Sequence, residues 1–265
     1  MPEIAIILPA YNEAKRLENT VSRIIEEMDG MAIDGMAVSG MAIDGMAVSG
    51  MAIDGMAVSG MAGKYEIIIA EDGSKDGTDA IAEKLHDKYS FVKHLHSAER
   101  AGRGRALNRS FASTDASIVL YCDVDLATDT KHMKQLIDAI RNGYDIATGS
   151  RLMKDSDVKR PFNREFASRG YNSLVRMMLR SKLYDHQCGF KAFNRKTIMP
   201  MLSEVKDTHW FWDTELLVRA QRKGMKVYEF PVYWRHGGAT KVDLKRDVLY
   251  MGSRVFKLWF EFLKN

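Results

Sequence analysis

Five short β-rich runs alternate with helical patterns through the first 150 residues: Ile4 to Leu8, Tyr65 to Ala70, Phe91 to Leu95, Ile118 to Cys122 and Ile146 to Thr148. Strands alternating with helices predict an α/β fold with a mainly parallel sheet, because parallel neighbours need a crossover between them. Between the first two strands, Leu17, Val21, Ile24, Ile25 and Met28 recur at helical spacing behind the capping candidate Asn12. Four of the strands run directly into polar motifs: Pro9-Ala10-Tyr11-Asn12-Glu13, Glu71-Asp72-Gly73-Ser74, Asp123-Val124-Asp125 and Gly149-Ser150-Arg151. Ligands of open α/β sheets bind at that carboxyl edge, so the four motifs are expected to share one site.

The most specific of these motifs is Asp123-Val124-Asp125. Side chains two apart on a strand share a face, but the strand here stops at Cys122, and the chain is expected to turn at Val124 if both carboxylates are to converge on one cation. Hard oxygen ligands of this kind suit Mg²⁺ or Mn²⁺ held together with substrate phosphates. A solvated turn would explain the triplet standing alone; its neighbours favour the metal.

The net charge of +4 conceals a division. Residues 1–150 carry 15 Lys and Arg against 23 Asp and Glu, whereas residues 151–265 carry 24 against 12. An acidic half can hold a metal, and a basic half attracts phosphate or an anionic membrane surface. Nucleic acid is not expected, because no basic helix interleaved with base-stacking aromatics is present. No run of about 20 apolar residues and no basic-then-apolar leader occurs, so the expectation is a cytoplasmic protein, peripheral on the cytoplasmic face of a membrane. Cys122 and Cys188 lack metal-ligand spacing and read as buried, reduced thiols.

Residues 31–60 are six pentapeptides alternating Met-Ala-Ile-Asp-Gly with Met-Ala-Val-Ser-Gly. A period of five matches neither helix nor strand, and each glycine costs a helix roughly 1 kcal/mol. The reading is a mobile insertion in a surface connection; contact with a partner or membrane, or a short solenoid, are the alternatives. Further on, Phe166, Tyr171, Leu174, Val175, Met178, Leu179 and Leu183 form one apolar stripe beside several arginines. A second, from Val242, holds Val248, Leu249, Val255, Phe256, Leu258, Trp259, Phe260, Phe262 and Leu263. Either stripe can lie in a membrane interface or pack on the protein's own sheet. The expected organisation is one domain over residues 1–240 and an amphipathic, membrane-surface helix over 241–265.

Taken in order, these motifs together with Gly102-Arg103-Gly104-Arg105-Ala106, Asp185-His186-Gln187-Cys188-Gly189-Phe190-Lys191 and Trp212-Asp213-Thr214-Glu215-Leu216-Leu217 resemble the inverting family 2 glycosyltransferases of the GT-A fold. Within them the chain is most similar to the dolichyl- and polyprenyl-phosphate glucosyl- and mannosyltransferases. The resemblance implies that Pro9, Tyr11, Glu13 and Asp72 hold the base and ribose of a nucleotide sugar, and that Asp123 and Asp125 hold the metal and diphosphate. It places Arg151, Arg164, Arg235 and Lys241 near the donor diphosphate and the acceptor phosphate, with Asp123, Asp125 and Arg151 as the catalytic set. Two departures are visible: Ala127 stands where many mannosyl relatives carry Gln, and Arg103 where Lys is usual. The first removes a candidate metal ligand and, with the Asp185-His186-Gln187-Cys188-Gly189-Phe190-Lys191 run, leans the resemblance toward the glucosyl branch and UDP-glucose. The implied reaction moves a hexose to a dolichyl or polyprenyl phosphate. Transfer of mannose from GDP-mannose, a soluble or polysaccharide acceptor, or a non-catalytic sugar-nucleotide-binding scaffold are the alternatives. Asp213 and Glu215 are candidates to line the site, with a helix cap the other reading of Asp213.

Overall fold

The structure, a computed structural model, describes residues 1–38, 64–235 and 244–264. Lys241 and most of the pentapeptide array lie outside the described residues. All five expected strands form: β1 (Ile4–Ala10), β2 (Tyr65–Glu71), β3 (Val92–Leu95), β4 (Ile118–Cys122) and β5 (Ile146–Ser150). Strands β6 (Asp157–Lys159), β7 (Phe190–Asn194), β8 (Val227–Pro231) and β9 (Tyr233–Arg235) add to them. The main sheet has the order β3-β2-β1-β4-β7-β5-β8, and β6 pairs with β9 in a separate ribbon. Every pairing in the main sheet is parallel except those of β7, which runs antiparallel to both β4 and β5.

The sheet is covered on both faces, and the period-two geometry of a strand divides its residues between two cores. Ile4, Ile6, Leu8, Ile118, Leu120 and Cys122 face a cluster completed by helices α1 (Leu17–Val38), α2 (Thr78–Lys88) and α4 (Met133–Arg141). Ala5, Ile7, Val119 and Tyr121 face the other, closed by α3 (Arg103–Ala112), α6 (Arg195–Leu202) and α7 (Trp212–Arg222). A third cluster joins α5 (Phe162–Leu179) to α8 (Leu244–Lys264), with Val175, Leu179, Met251, Val255 and Leu258 buried beside Phe211 and Val218. Thus α8 packs against the body of the protein along one side.

Two local expectations need correction. Helix α1 runs on to Val38, into the first two pentapeptides. An established helix adds residues without a new nucleation cost, and alanine and methionine offset part of the glycine penalty. Asn12 does not cap α1, which begins five residues later. It adopts a left-handed φ of 53° and joins two loops: its amide donates to Ser74 Oγ at 3.0 Å, and its Oδ1 accepts from the Lys75 amide at 2.8 Å.

Candidate active site

Because β1, β2, β4 and β5 point the same way, their carboxyl ends meet at one edge, where the order reverses between β1 and β4. A cavity of about 420 Å³ opens there. Pro9, Tyr11, Glu13, Asp72, Asp123, Asp125, Arg151 and Arg164 all line it, so the sequence-derived candidates converge. Arg235 does not line it. It lies on β9 at the surface, where Nη2 donates to Asp157 Oδ2 at 2.5 Å and Nη1 to the Asp157 carbonyl at 2.9 Å.

The Asp-Val-Asp segment turns as expected. The Leu126 amide donates to the Asp123 carbonyl at 3.0 Å, and Leu126 takes a positive φ of 45°. Val124 turns into the core and the flanking carboxylates line the cavity. Strand β7, being antiparallel, brings its amino end to this edge, and the Asp123 amide donates to the Gly189 carbonyl at 3.1 Å. A side chain at Gly189 would occupy the space of the Asp123 carboxylate, with Cβ only 2.0 Å from Oδ2. Burial and the charge of Asp123 both raise the pKa of Asp125. Two close carboxylates that repel one another, beside room for phosphate oxygens, are a donor set that fits Mg²⁺ or Mn²⁺.

Cationic groups face this pair. Arg103 opens α3 behind Gly102, whose φ of 105° and contact with His209 exclude a side chain there. Its Nη1 lies 2.6 Å from Asp123 Oδ1 and its Nε 3.9 Å from Asp213 Oδ2, while Nη2 is buried without a hydrogen-bond partner. Burial works against its charge, but Asp123 and Asp213 outweigh that and raise its pKa above the usual value. The unpartnered donor matches a diphosphate, an oxygen of which would satisfy it. Arg151 is held by a fork to Asp185, with Nε to Oδ2 at 2.7 Å and Nη2 to Oδ1 at 2.9 Å, so Asp185 fixes its direction. Arg160, which bonds Glu165 at 2.5 Å and keeps a buried, unpartnered Nη2, also lines the cavity.

Asp72 both lines the cavity and shapes it: its carboxylate accepts the Ala101 amide at 3.0 Å and the Gly102 amide at 2.9 Å. Asp213 lines the site and does not cap α7. Its Oδ1 accepts from Tyr121 Oη and lies 3.0 Å from the wholly buried Lys191 Nζ. Glu215 instead accepts the Lys206 and Asp207 amides and pairs with Arg219. His186 is buried between Asn172 and Ser181, and burial lowers its pKa to about 3, so it is neutral and no base. Cys122 and Cys188 are free and buried.

Sequence reasoning passed over Arg16, Arg100, Arg160, Trp210 and Trp234, all of which line the cavity. Arg100 stacks over the Tyr11 ring at 4.0 Å and stands two residues before Gly102, a proximity to the glycine-rich turn that could have marked it. Arg160 and Trp234 had no such signal, since the β6–β9 ribbon that carries them inward follows no strong periodic pattern.

A mainly parallel sheet with an Asp-x-Asp turn facing arginines at its crevice is the architecture of the GT-A class. The chain belongs to glycosyl transferase family 2, whose profile matches residues 57–200. It is 44% identical over 260 residues to Glycosyltransferase AglD of Haloferax volcanii, a match covering 98% of this chain and 37% of that protein. It is 27% identical to the dolichyl-phosphate beta-glucosyltransferase of Dictyostelium discoideum, over 98% of this chain and 75% of that one. Glucosyl-3-phosphoglycerate synthase from Mycobacterium tuberculosis, solved with Mn²⁺, UDP and glucosyl-3-phosphoglycerate, shares the fold. Its TM-score is 0.61 at 18% identity, over 96% of this chain and 77% of that one. The mannosyltransferase PcManGT from Pyrobaculum calidifontis, solved with GDP-Man and Mn²⁺, gives 0.59 at 17% identity over 97% and 64%.

Proposed function

We propose that this chain transfers a hexose, glucose from UDP-glucose, to a dolichyl or polyprenyl phosphate by a single displacement with inversion. The observation that carries the lipid acceptor is the first turn of α5. Arg164 reaches the cavity from it, while Phe162 and Phe166 on the same stretch are 83% and 72% exposed. A phosphate could thus be held inside the cavity while its apolar tail leaves along an apolar rim. The names of the dolichyl-phosphate relatives support the same acceptor.

In this reading Pro9, Tyr11, Glu13 and Asp72 form the nucleoside end, and Asp123 and Asp125 hold Mg²⁺ or Mn²⁺ together with the diphosphate. When bound, such an ion offsets the negative charge that gathers on the departing diphosphate. Arg103 supports the same oxygens with Nη2, which is buried without a hydrogen-bond partner. Arg151, aimed by Asp185, and Arg164 bring the acceptor phosphate to the anomeric carbon. That phosphate, with a second pKa of ~6, is largely a dianion at neutral pH, so the attacking oxygen needs no strong base. Asp213, already committed to Tyr121, Lys191 and Arg103, positions rather than deprotonates. Arg235 would have to release Asp157 to reach a phosphate; Lys241 remains a candidate on sequence grounds.

Membrane contact is part of the proposal. Among the described residues no helix is long and apolar enough to cross a membrane. On α8, Leu249, Phe256, Phe260 and Leu263 recur at helical spacing and are 46% exposed or more. That stripe, flanked by basic residues, suits the headgroup region of a cytoplasmic leaflet. The deciding assay gives purified protein Mn²⁺, polyprenyl phosphate and a panel of radiolabelled UDP- and GDP-sugars. Organic-phase label from UDP-glucose is expected. Label from GDP-mannose alone would reassign the donor, and label confined to water-soluble products would reject the lipid acceptor.

A further inference from the structure

Away from the Asp123 and Asp125 pair, β2 and β3 bring a different ligand set together. Glu71 ends β2, His94 lies in β3 and His96 follows it directly. Ala70 pairs with Leu95, so Glu71 falls beside His96, and the two histidines, two apart, leave the strand on one face. One potential ligand atom from each of the three lies within 4.8 Å of the others.

The surroundings prepare these groups for more than a hydrogen bond. The ring of His94 is only 7% exposed, and its Nδ1 lies 2.7 Å from the Glu83 carboxylate. Yet its Nε2 is buried without any hydrogen-bond partner. A carboxylate on one imidazole nitrogen fixes the tautomer and leaves a lone pair on the other, which is how metal-ligating histidines are held. Glu71 is wholly buried; its Oε1 accepts the Ser74 amide, and its Oε2 lies 2.7 Å from Nδ1 of the half-exposed His96. The adjacent cation, Arg109, directs Nη1 and Nη2 at carbonyl oxygens of Glu71, Leu95 and His96.

We propose that Glu71, His94 through Nε2, and His96 form a second metal site, for a borderline divalent ion of the zinc class. Two imidazoles and one carboxylate with an open fourth position suit Zn²⁺, whereas the two carboxylates at Asp123 and Asp125 suit a harder ion. The site fixes the loop after β2. Glu71 holds the Ser74 amide, Ser74 Oγ accepts from Asn12, and Asp72 lines the cavity. An ion here therefore braces the nucleoside end of the site from behind without touching substrate.

The test uses tag-free, chelator-stripped protein titrated with Zn²⁺ by calorimetry and with Co²⁺ by visible absorption. The Asp123→Asn/Asp125→Asn double variant should keep the tight Zn²⁺ site of the wild type with equal affinity, and Zn²⁺ should raise the Tm of both. His96→Ala, at an exposed position, should weaken binding by at least ~100-fold and abolish the Tm rise, and Glu83→Gln should weaken it by ~10-fold or more. Should His96→Ala fail to fold, Glu83→Gln carries the same discrimination. Absence of saturable binding in wild type, unchanged affinity in the variants, or loss of binding in the double Asp variant would each overturn the site.

Discussion

Replacing Gly189 with alanine isolates the position of one carboxylate from its chemistry. Gly189 is not among the glycines of positive φ, so its backbone accepts a side chain and the whole effect is steric. The new Cβ would lie 2.0 Å from Asp123 Oδ2 and 2.5 Å from Cγ, whereas real Cβ atoms essentially never approach closer than 3.0 Å. Asp123 must therefore retreat by about 1 Å, a misplacement that costs on the order of 100-fold in turnover when it falls on a reacting group. The Asp123 side chain is 42% exposed and can swing outward, so the fold should survive. The assay is sugar transfer at saturating donor and Mn²⁺, beside thermal melting. A kcat about 100-fold down with Tm within a few degrees of wild type is expected. Turnover within threefold of wild type (roughly 0.7 kcal/mol in barrier) would show that Asp123 does no work at the place it occupies.

Lys191→Met leaves Asp213 buried with one cation fewer and should cost about 3–5 kcal/mol of stability by urea denaturation; a loss below 1 kcal/mol would mean that Tyr121 and Arg103 suffice. Phe256→Ser with Phe260→Ser should reduce co-sedimentation with anionic vesicles and transfer to long-chain polyprenyl phosphate, but not transfer to a short water-soluble analogue; unchanged sedimentation would remove the membrane from α8. The folded pKa of His186, about 3, lies below the ordinary 6.5 of the unfolded chain. Its contribution to stability is thus complete above pH 6.5 and falls as pH drops toward 3, because the unfolded chain takes up the proton first. His186→Gln should flatten the stability–pH slope in that window by up to ~1.4 kcal/mol per pH unit, and equal slopes would show that His186 charges while folded.

The strands of the first half were legible because each is an unbroken apolar run ending in a charged motif, and burial on both faces demands such runs. The cavity-lining residues Pro9, Tyr11, Glu13, Asp72, Asp123 and Asp125 were legible for the same reason: they stand where those strands stop. Strand β7 was not, since Phe190-Lys191-Ala192-Phe193-Asn194 places a lysine in the interior, which is tolerable because its ammonium meets Asp213, Tyr121 and the carbonyls of His186 and Cys188. The aromatic stripe of α8 was read as one surface, but the helix divides it. Trp259 and Phe262 pack on the third core, with the Arg222 guanidinium 4.1 Å from the Phe262 ring, and Phe256 and Phe260 are left outside. Periodicity reveals a stripe but not how much of its width a neighbour covers. Arg160 and Arg235 show the same limit for charge: the ribbon of β6 and β9 turns one toward the cavity and ties the other to Asp157.

The reversed strand also sets an order of assembly. Strands β1 to β4 pair among themselves, but β5 pairs with β7 and β8, both made later. A chain emerging from the ribosome as far as Ser150 can therefore pair β1 to β4, with Pro9, Tyr11, Glu13 and Asp72 at their ends, while β5 still lacks both neighbours. Asp123 receives its Gly189 partner only when β7 slides between β4 and β5, a pairing of high sequence separation that closes slowly. The half of the protein that carries Pro9, Tyr11, Glu13 and Asp72 can pair its strands before the half that supplies the partner of Asp123, and an arrested or truncated chain would leave an open edge on β4.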